Sequence, residues 1–175
     1  MELTVATSLI DKGVTPARVN QVWADLGCGS GLFTSALSTL LPAGSTVHAI
    51  DKDIKAILEL PEDFKNVHVN IVRKDFVSDA LELFDLDGIL MANSLHYVND
   101  KASLFDTLKS SLKPSGKFII VEYERSTSNQ WVPFPIGFEK LQTLAMSLGF
   151  KKVTKLAETS SAYSQGGMYS AVLRC

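Results

Sequence analysis

The 175 residues, 46% of them hydrophobic and 21% charged, suffice for one domain with a substantial core and are too few for two ordinary ones. A formal net charge of −2 leaves no basic excess of the kind a duplex-binding surface carries, which argues against a nucleic-acid partner. Two cysteines, Cys28 and Cys175, are spaced for neither a disulfide framework nor a metal knuckle. No segment reads as a secretion signal or a bilayer span, so the expectation is a soluble cytoplasmic protein with no membrane partner and no metal.

In chain order, residues 1–20 form a short helical lead-in, with a helix around 3–11. VWADL (22–26) reads as a strand, and GLFTSALSTLL (31–41) as a helix stopped by Pro42 and Gly44. TVHAI (46–50) is a strand, DIKAILEL (53–60) an amphipathic helical segment, and NVHVNIV (66–72) and GILMA (88–92) two more strands. DKASLFDTLKSSL (100–112) is a helix that ends in a stop and turn at Lys113-Pro114-Ser115-Gly116, before the strand KFIIVEY (117–123). GFEKLQTLAMSL (137–148) is a helix closed by Gly149. KKVTKLA (151–157) and MYSAVLR (168–174) make a terminal strand pair joined by a Ser/Gly-rich loop, 158–167. His48 and His68 fall inside strands and read as structural, and the basic pairs Arg73-Lys74 and Lys151-Lys152 as solvated strand flanks.

Strands separated by helix-length segments imply a parallel sheet with right-handed crossovers, hence a doubly wound α/β domain spanning 1–175 with helices on both faces. GILMA and FIIV are nearly continuous apolar runs, as central strands covered on both sides require. The count is seven strands. The last two follow each other without a helix, so one of them runs antiparallel.

In such a sheet ligands sit beyond the carboxyl ends of the strands, which places the bend VWADLGCGSG in the binding site. It is not a dinucleotide fingerprint: Gly27 and Gly29 fit G-x-G-x-x-G/A, but the third small position is Leu32. It is not a phosphate loop either, since no Gly-Lys-Ser/Thr follows. An acidic residue, Asp25, closes the strand instead; it repels pyrophosphate and attracts a ligand that carries an ammonium. A second carboxylate, Asp51, closes the next strand and suits a ribose diol, because an ionised carboxylate accepts two hydrogen bonds.

Asp25 before the glycines, Asp51 after the second strand and Lys-Asp-Phe after the third resemble the class I S-adenosylmethionine-dependent methyltransferases. The resemblance extends along the chain in strand order, including the antiparallel last strand of a mostly parallel seven-stranded sheet. It implies S-adenosyl-L-methionine as cofactor. Asp25, Gly27, Cys28, Gly29 and Gly31 then cradle the methionine part, and Asp51 holds the ribose hydroxyls. Lys52 flanks the adenine, Asp75 and Phe76 bracket it, and Ala92 and Asn93 pass the sulfonium end.

Methyl transfer is an in-line displacement in which positioning alone is worth about 7–11 kcal/mol, and a base is needed only if the acceptor loses a proton. The fourth-strand loop, Asn93-Ser94-Leu95-His96-Tyr97, lacks the Asn/Asp-Pro-Pro-Tyr/Phe signature of methyltransferases acting on amino groups, and looks like the loops of enzymes with small-molecule acceptors. His96 is the first candidate on the acceptor side. Glu122 arrives at the same edge on the fifth strand, and Tyr163 does so on the 158–167 loop if the sixth strand is parallel. Trp131-Val132-Pro133-Phe134-Pro135 offers an apolar wall. With about twenty residues before the glycine bend there is little room for a cap, so these loops hold the acceptor, the pocket is open, or a second subunit of a homodimer completes it. The leading expectation is a small-molecule methyltransferase; the alternatives are an RNA or protein methyltransferase, or a non-catalytic cofactor-binding interaction module.

Overall fold

Side chains alternate across a strand, so a strand apolar at every position needs a layer of helices on each side. The computed structural model describes residues 1–16, 18–61, 64, 66–159 and 167–175. Its strands are β1 (Val22–Leu26), β2 (Thr46–Asp51), β3 (His68–Arg73), β4 (Leu86–Ala92), β5 (Leu112–Tyr123), β6 (Lys152–Thr159) and β7 (Met168–Arg174). They form one sheet in the order β3-β2-β1-β4-β5-β7-β6. The pairs β1/β2, β2/β3, β1/β4 and β4/β5 are parallel, and β7 runs antiparallel to both β5 and β6.

The helices are α1 (Leu3–Ile10), α2 (Leu32–Leu40), α3 (Ile54–Ile57), α4 (Lys101–Lys109) and α5 (Phe138–Ser147). Trp23, Leu90, Ile119 and Val121 point to one face and bury against Ala6, Leu9 and Ile10 of α1 and Phe33, Ala36 and Leu37 of α2. Their neighbours Ala24, Leu26, Met91, Phe118 and Ile120 point to the other, against Leu104, Phe105 and Leu108 of α4 and Leu141 and Ala145 of α5. On that side Phe105, Phe118 and Phe150 meet edge to face, with centroids 5.2, 5.8 and 5.6 Å apart. Each such ring contributes about 1.5–3 kcal/mol by leaving water. Among the described residues no helix is long and apolar enough to cross a membrane.

The sheet grows to one side through β2 and β3 and to the other through β4, so the order reverses between β1 and β4. That reversal opens a crevice at their carboxyl ends.

Three sequence expectations are corrected. Lys113–Gly116 is not a turn after the helix: α4 ends at Lys109, and β5 already starts at Leu112. Pro114 has no N–H to give a ladder, and the β4/β5 register shifts between Leu86 and Gly88 to pass this stretch, with Pro114 and Ser115 exposed. The helix expected over 53–60 is a single turn, Ile54–Ile57, started by Asp53, whose side chain accepts from Lys55 N. The loop expected at 158–167 gives its first two residues to β6, which pairs Glu158 with Tyr169 and Thr159 with Met168.

Candidate active site

The glycine bend is held from both sides by the two carboxylates that flank it. Asp25 shares a face of β1 with Trp23, toward α2, where Thr34 Oγ1 donates to its Oδ2 at 2.7 Å. It is 1% exposed, and burial pushes its pKa up to about 7; the Asp51 charge adds to that, and the Thr34 hydroxyl opposes it. Asp51, at the end of β2, accepts from Gly29 N at 2.9 Å on Oδ2 and from Asp53 N at 2.9 Å on Oδ1. Gly27 N and Cys28 N both donate to Ile50 O, at 2.8 and 3.1 Å, and Gly31 N to Cys28 O at 2.9 Å. The Cys28 thiol is raised far above its ordinary range by burial and by the two carboxylates, so it is no nucleophile.

Gly27 has φ +79°, and a Cβ there would lie 2.5 Å from Ser94 Cβ and 3.3 Å from Phe76 Cε1. Only glycine fits. The loops after β1, β3 and β4 therefore converge on one point, which Ser94 Oγ locks by donating to Leu26 O at 2.6 Å. Phe76, half-buried, belongs to this junction as well as to the core beside it. Lys52 and Asp75 are drawn together as an ion pair, Nζ to Oδ2 at 3.0 Å, while Asp75 Oδ1 accepts from Val77 N at 3.0 Å. The Val77 N–H, and after it Lys52, holds the Asp75 carboxyl below the usual range.

Beyond Ala92, at the end of β4, the backbone turns sharply. Asn93 takes a left-handed φ of +54°, which asparagine tolerates better than most residues, and its N–H donates to Val121 O at 2.8 Å. Its Oδ1 is buried and accepts from none of the described residues. Such an orphan acceptor loses about 1–3 kcal/mol unless something supplies a donor, and it stands beside the glycine bend.

Asn93 also lines a cleft of about 630 Å³, with His96, Tyr97, Tyr123, Arg125, Trp131 and the buried Val132. Of these, His96 is tied to a buried carboxylate. Glu122, 1% exposed, accepts from His96 N at 3.0 Å through Oε1 and meets His96 Nδ1 at 2.8 Å through Oε2. A carboxylate only accepts, so this contact puts a proton on Nδ1, and in a neutral imidazole the lone pair is then on Nε2. The wall is pinned: Phe134 N donates to His96 O at 3.0 Å, and Lys101 Nζ donates to Val98 O and Phe134 O at 2.6 and 2.8 Å.

The fold thus gathers Asp25, Gly27, Cys28, Gly29, Gly31 and Asp51 at one bend, Lys52, Asp75 and Phe76 beside it, and Ala92, Asn93, His96 and Glu122 along the same edge. Tyr163 lies outside the described residues. Thr34, Ser94, Lys101 and Asn129 escape sequence reasoning. Only Asn129 carries a local signal, as an asparagine whose Oδ1 accepts from Trp131 N and Val132 N at 2.9 and 2.7 Å.

A family profile described as a methyltransferase domain matches residues 24–118, more than half of the chain. No curated protein matches the chain in sequence. Among solved structures, a SAM-dependent methyltransferase from Archaeoglobus fulgidus is similar at 16% identity and a TM-score of 0.74, with 99% of this chain and 95% of that one covered. The phosphoethanolamine N-methyltransferase 2 of Haemonchus contortus, in complex with S-adenosyl-L-methionine, is similar at 14% identity and a TM-score of 0.74, over 98% of this chain and 52% of that one. The plantazolicin methyltransferase BpumL, in complex with SAH, is similar at 14% identity and a TM-score of 0.68, over 98% and 82%. At these identities the likeness is one of fold.

Proposed function

The chain belongs to the methyltransferase-domain family, and from that premise we propose that it transfers a methyl group from S-adenosylmethionine to a small-molecule acceptor, with residues 1–175 acting as one domain. The observation that carries this reading is Asn93. Asn93, with its buried Oδ1 unpartnered among the described residues, joins the glycine bend, which its neighbour Ser94 touches, to the cleft that it lines together with His96. A cofactor berth and an acceptor berth meet at that residue.

The residues present fit the cofactor. A cationic amino acid moiety supplies the donor that Asn93 Oδ1 lacks and the positive charge that favours ionised Asp25. The missing Cβ at Gly27 lets the bend pack directly against Ser94, the neighbour of Asn93. Asp51, which accepts from the bend at Gly29 N, suits a ribose diol, and the Lys52–Asp75 pair suits an adenine. When bound, the cofactor supplies an electrophilic methyl group on a sulfonium.

The chain's own part is to bind, orient and take a proton. Glu122 fixes the His96 ring through Nδ1 and its backbone through N–H, so Nε2 is the nitrogen left to accept a proton from a hydroxyl acceptor. Holding the acceptor in line supplies most of the acceleration, about 7–11 kcal/mol at best.

Calorimetry with S-adenosylmethionine and S-adenosylhomocysteine tests the reading. We expect both to bind and Asn93→Ala to weaken both, with NAD silent. Binding of NAD alone refutes it.

A further inference from the structure

Resting on the methyl-transfer reading, we infer that the acceptor is an aromatic carboxylate, its ring covered by Tyr97 and Trp131 and its anionic group paired with Arg125. Of the described residues that line the cleft, Arg125 is the one Lys or Arg, and none is acidic. Arg125 Nε donates to Thr127 O at 2.8 Å, which orients the guanidinium. Among the described residues its two terminal nitrogens meet neither a carboxylate nor any other acceptor. The adjacent acids are engaged elsewhere. Glu122 is spent on His96, and Glu124 accepts from Phe138 N at 3.1 Å and faces Lys155 Nζ at 3.9 Å. A guanidinium fork held at one nitrogen and open at the other two matches a planar carboxylate.

The apolar half of the inference rests on two rings that the folded chain leaves in water. Tyr97 is 55% and Trp131 69% exposed, both at the rim of the cleft. Neither is on a floppy segment. Asn129 Oδ1 holds Trp131 N and Val132 N, and Phe134 N is tied to His96 O, so the Trp131 backbone is preorganised. Large rings on a fixed backbone at the cleft, exposed among the described residues, suit a flat ligand stacked or edged against them. The cleft, about 630 Å³, takes one substituted ring beside the end of the cofactor. A single cation balances a monoanionic carboxylate; a dianionic phosphate ester leaves surplus negative charge there.

The test uses the full chain loaded with S-adenosylhomocysteine, titrated by calorimetry with the three hydroxybenzoate isomers and the matching hydroxybenzamides. We expect at least one hydroxybenzoate to bind about tenfold or more tightly than its amide, the size of one charge-assisted contact. Arg125→Ala should bring the acid down to the level of its amide, Arg125→Lys should restore part of the gap, and Trp131→Ala should weaken acid and amide alike. Equal affinity for acid and amide in the wild type, or a preference that survives in Arg125→Ala, overturns the inference. So does the absence of any hydroxybenzoate binding to protein that holds S-adenosylhomocysteine, and in that case methyl transfer still stands. Failure of S-adenosylhomocysteine itself to bind instead strikes the reading beneath it.

Discussion

The hydroxyl of Thr34, in the first turn of α2, sits 2.7 Å from Asp25 Oδ2 and ties the end of β1 to the helix that follows the glycine bend. The carboxylate so placed is buried with one hydrogen bond among the described residues, its pKa raised from 3.8 to about 7. Its folded-state pKa lies above its unfolded value, so the stability it contributes is fully present below about pH 4 and is lost as pH rises through about 7. Asp25→Asn removes that dependence. In the ligand-free protein we expect the variant to match the wild type near about pH 4 and to melt higher at about pH 8, while it loses cofactor binding. Thermal melts across pH, with and without S-adenosylmethionine, check both halves.

The same group predicts a proton flux. A bound cation favours ionised Asp25, so binding below about pH 7 should expel a proton, and affinity for S-adenosylmethionine should climb as pH rises toward that value. Calorimetry in buffers of different ionisation enthalpy measures the proton directly. Asp25→Asn should release none.

The glycines of the bend are not equivalent. At Gly27 a Cβ meets Ser94 Cβ at 2.5 Å, whereas at Gly29, φ +53°, it meets nothing within 4 Å. Gly29→Ala should cost only the backbone term, about 1 kcal/mol. Gly27→Ala adds overpacking, for about 2–4 kcal/mol in all, and should abolish cofactor binding. Urea unfolding and calorimetry on the two variants separate strain from collision.

His96 and Glu122 act as a unit, so their variants should not add. His96→Ala should lower kcat about 10²–10⁴-fold on a hydroxyl acceptor with the affinity for S-adenosylhomocysteine unchanged. Glu122→Gln, which keeps an acceptor for the His96 N–H, should lower kcat less and leave folding intact. Glu122→Ala should destabilise by about 1–3 kcal/mol, because it strands buried donors at His96. A double variant no slower than His96→Ala confirms that Glu122 works through the ring.

The sheet was legible because its signals are local and repeated. VWADL matches β1 residue for residue, and MYSAVLR matches β7. The exceptions have physical causes. Proline at 114 reads as punctuation from the sequence, yet a register shift lets a strand run through it. DIKAILEL has helical spacing, but Leu58 stays 78% exposed, so packing rewards only one turn. At the site, the bend was visible because glycines and acids at fixed spacing have few other uses. The His96–Glu122 contact spans 26 positions and Thr34 reaches Asp25 across nine, and no short-range pattern encodes either. The acceptor wall is the least readable part. Trp131 and Arg125 acquire meaning only once Asn129 and Thr127 fix the loop around them.

A crystal structure of the complex with S-adenosylhomocysteine tests the account most directly. We expect ribose hydroxyls on the Asp51 carboxylate, the amino group on Asn93 Oδ1, and the sulfur facing the cleft above His96. A nucleoside seated away from the bend, or a sulfur turned from that cleft, contradicts it.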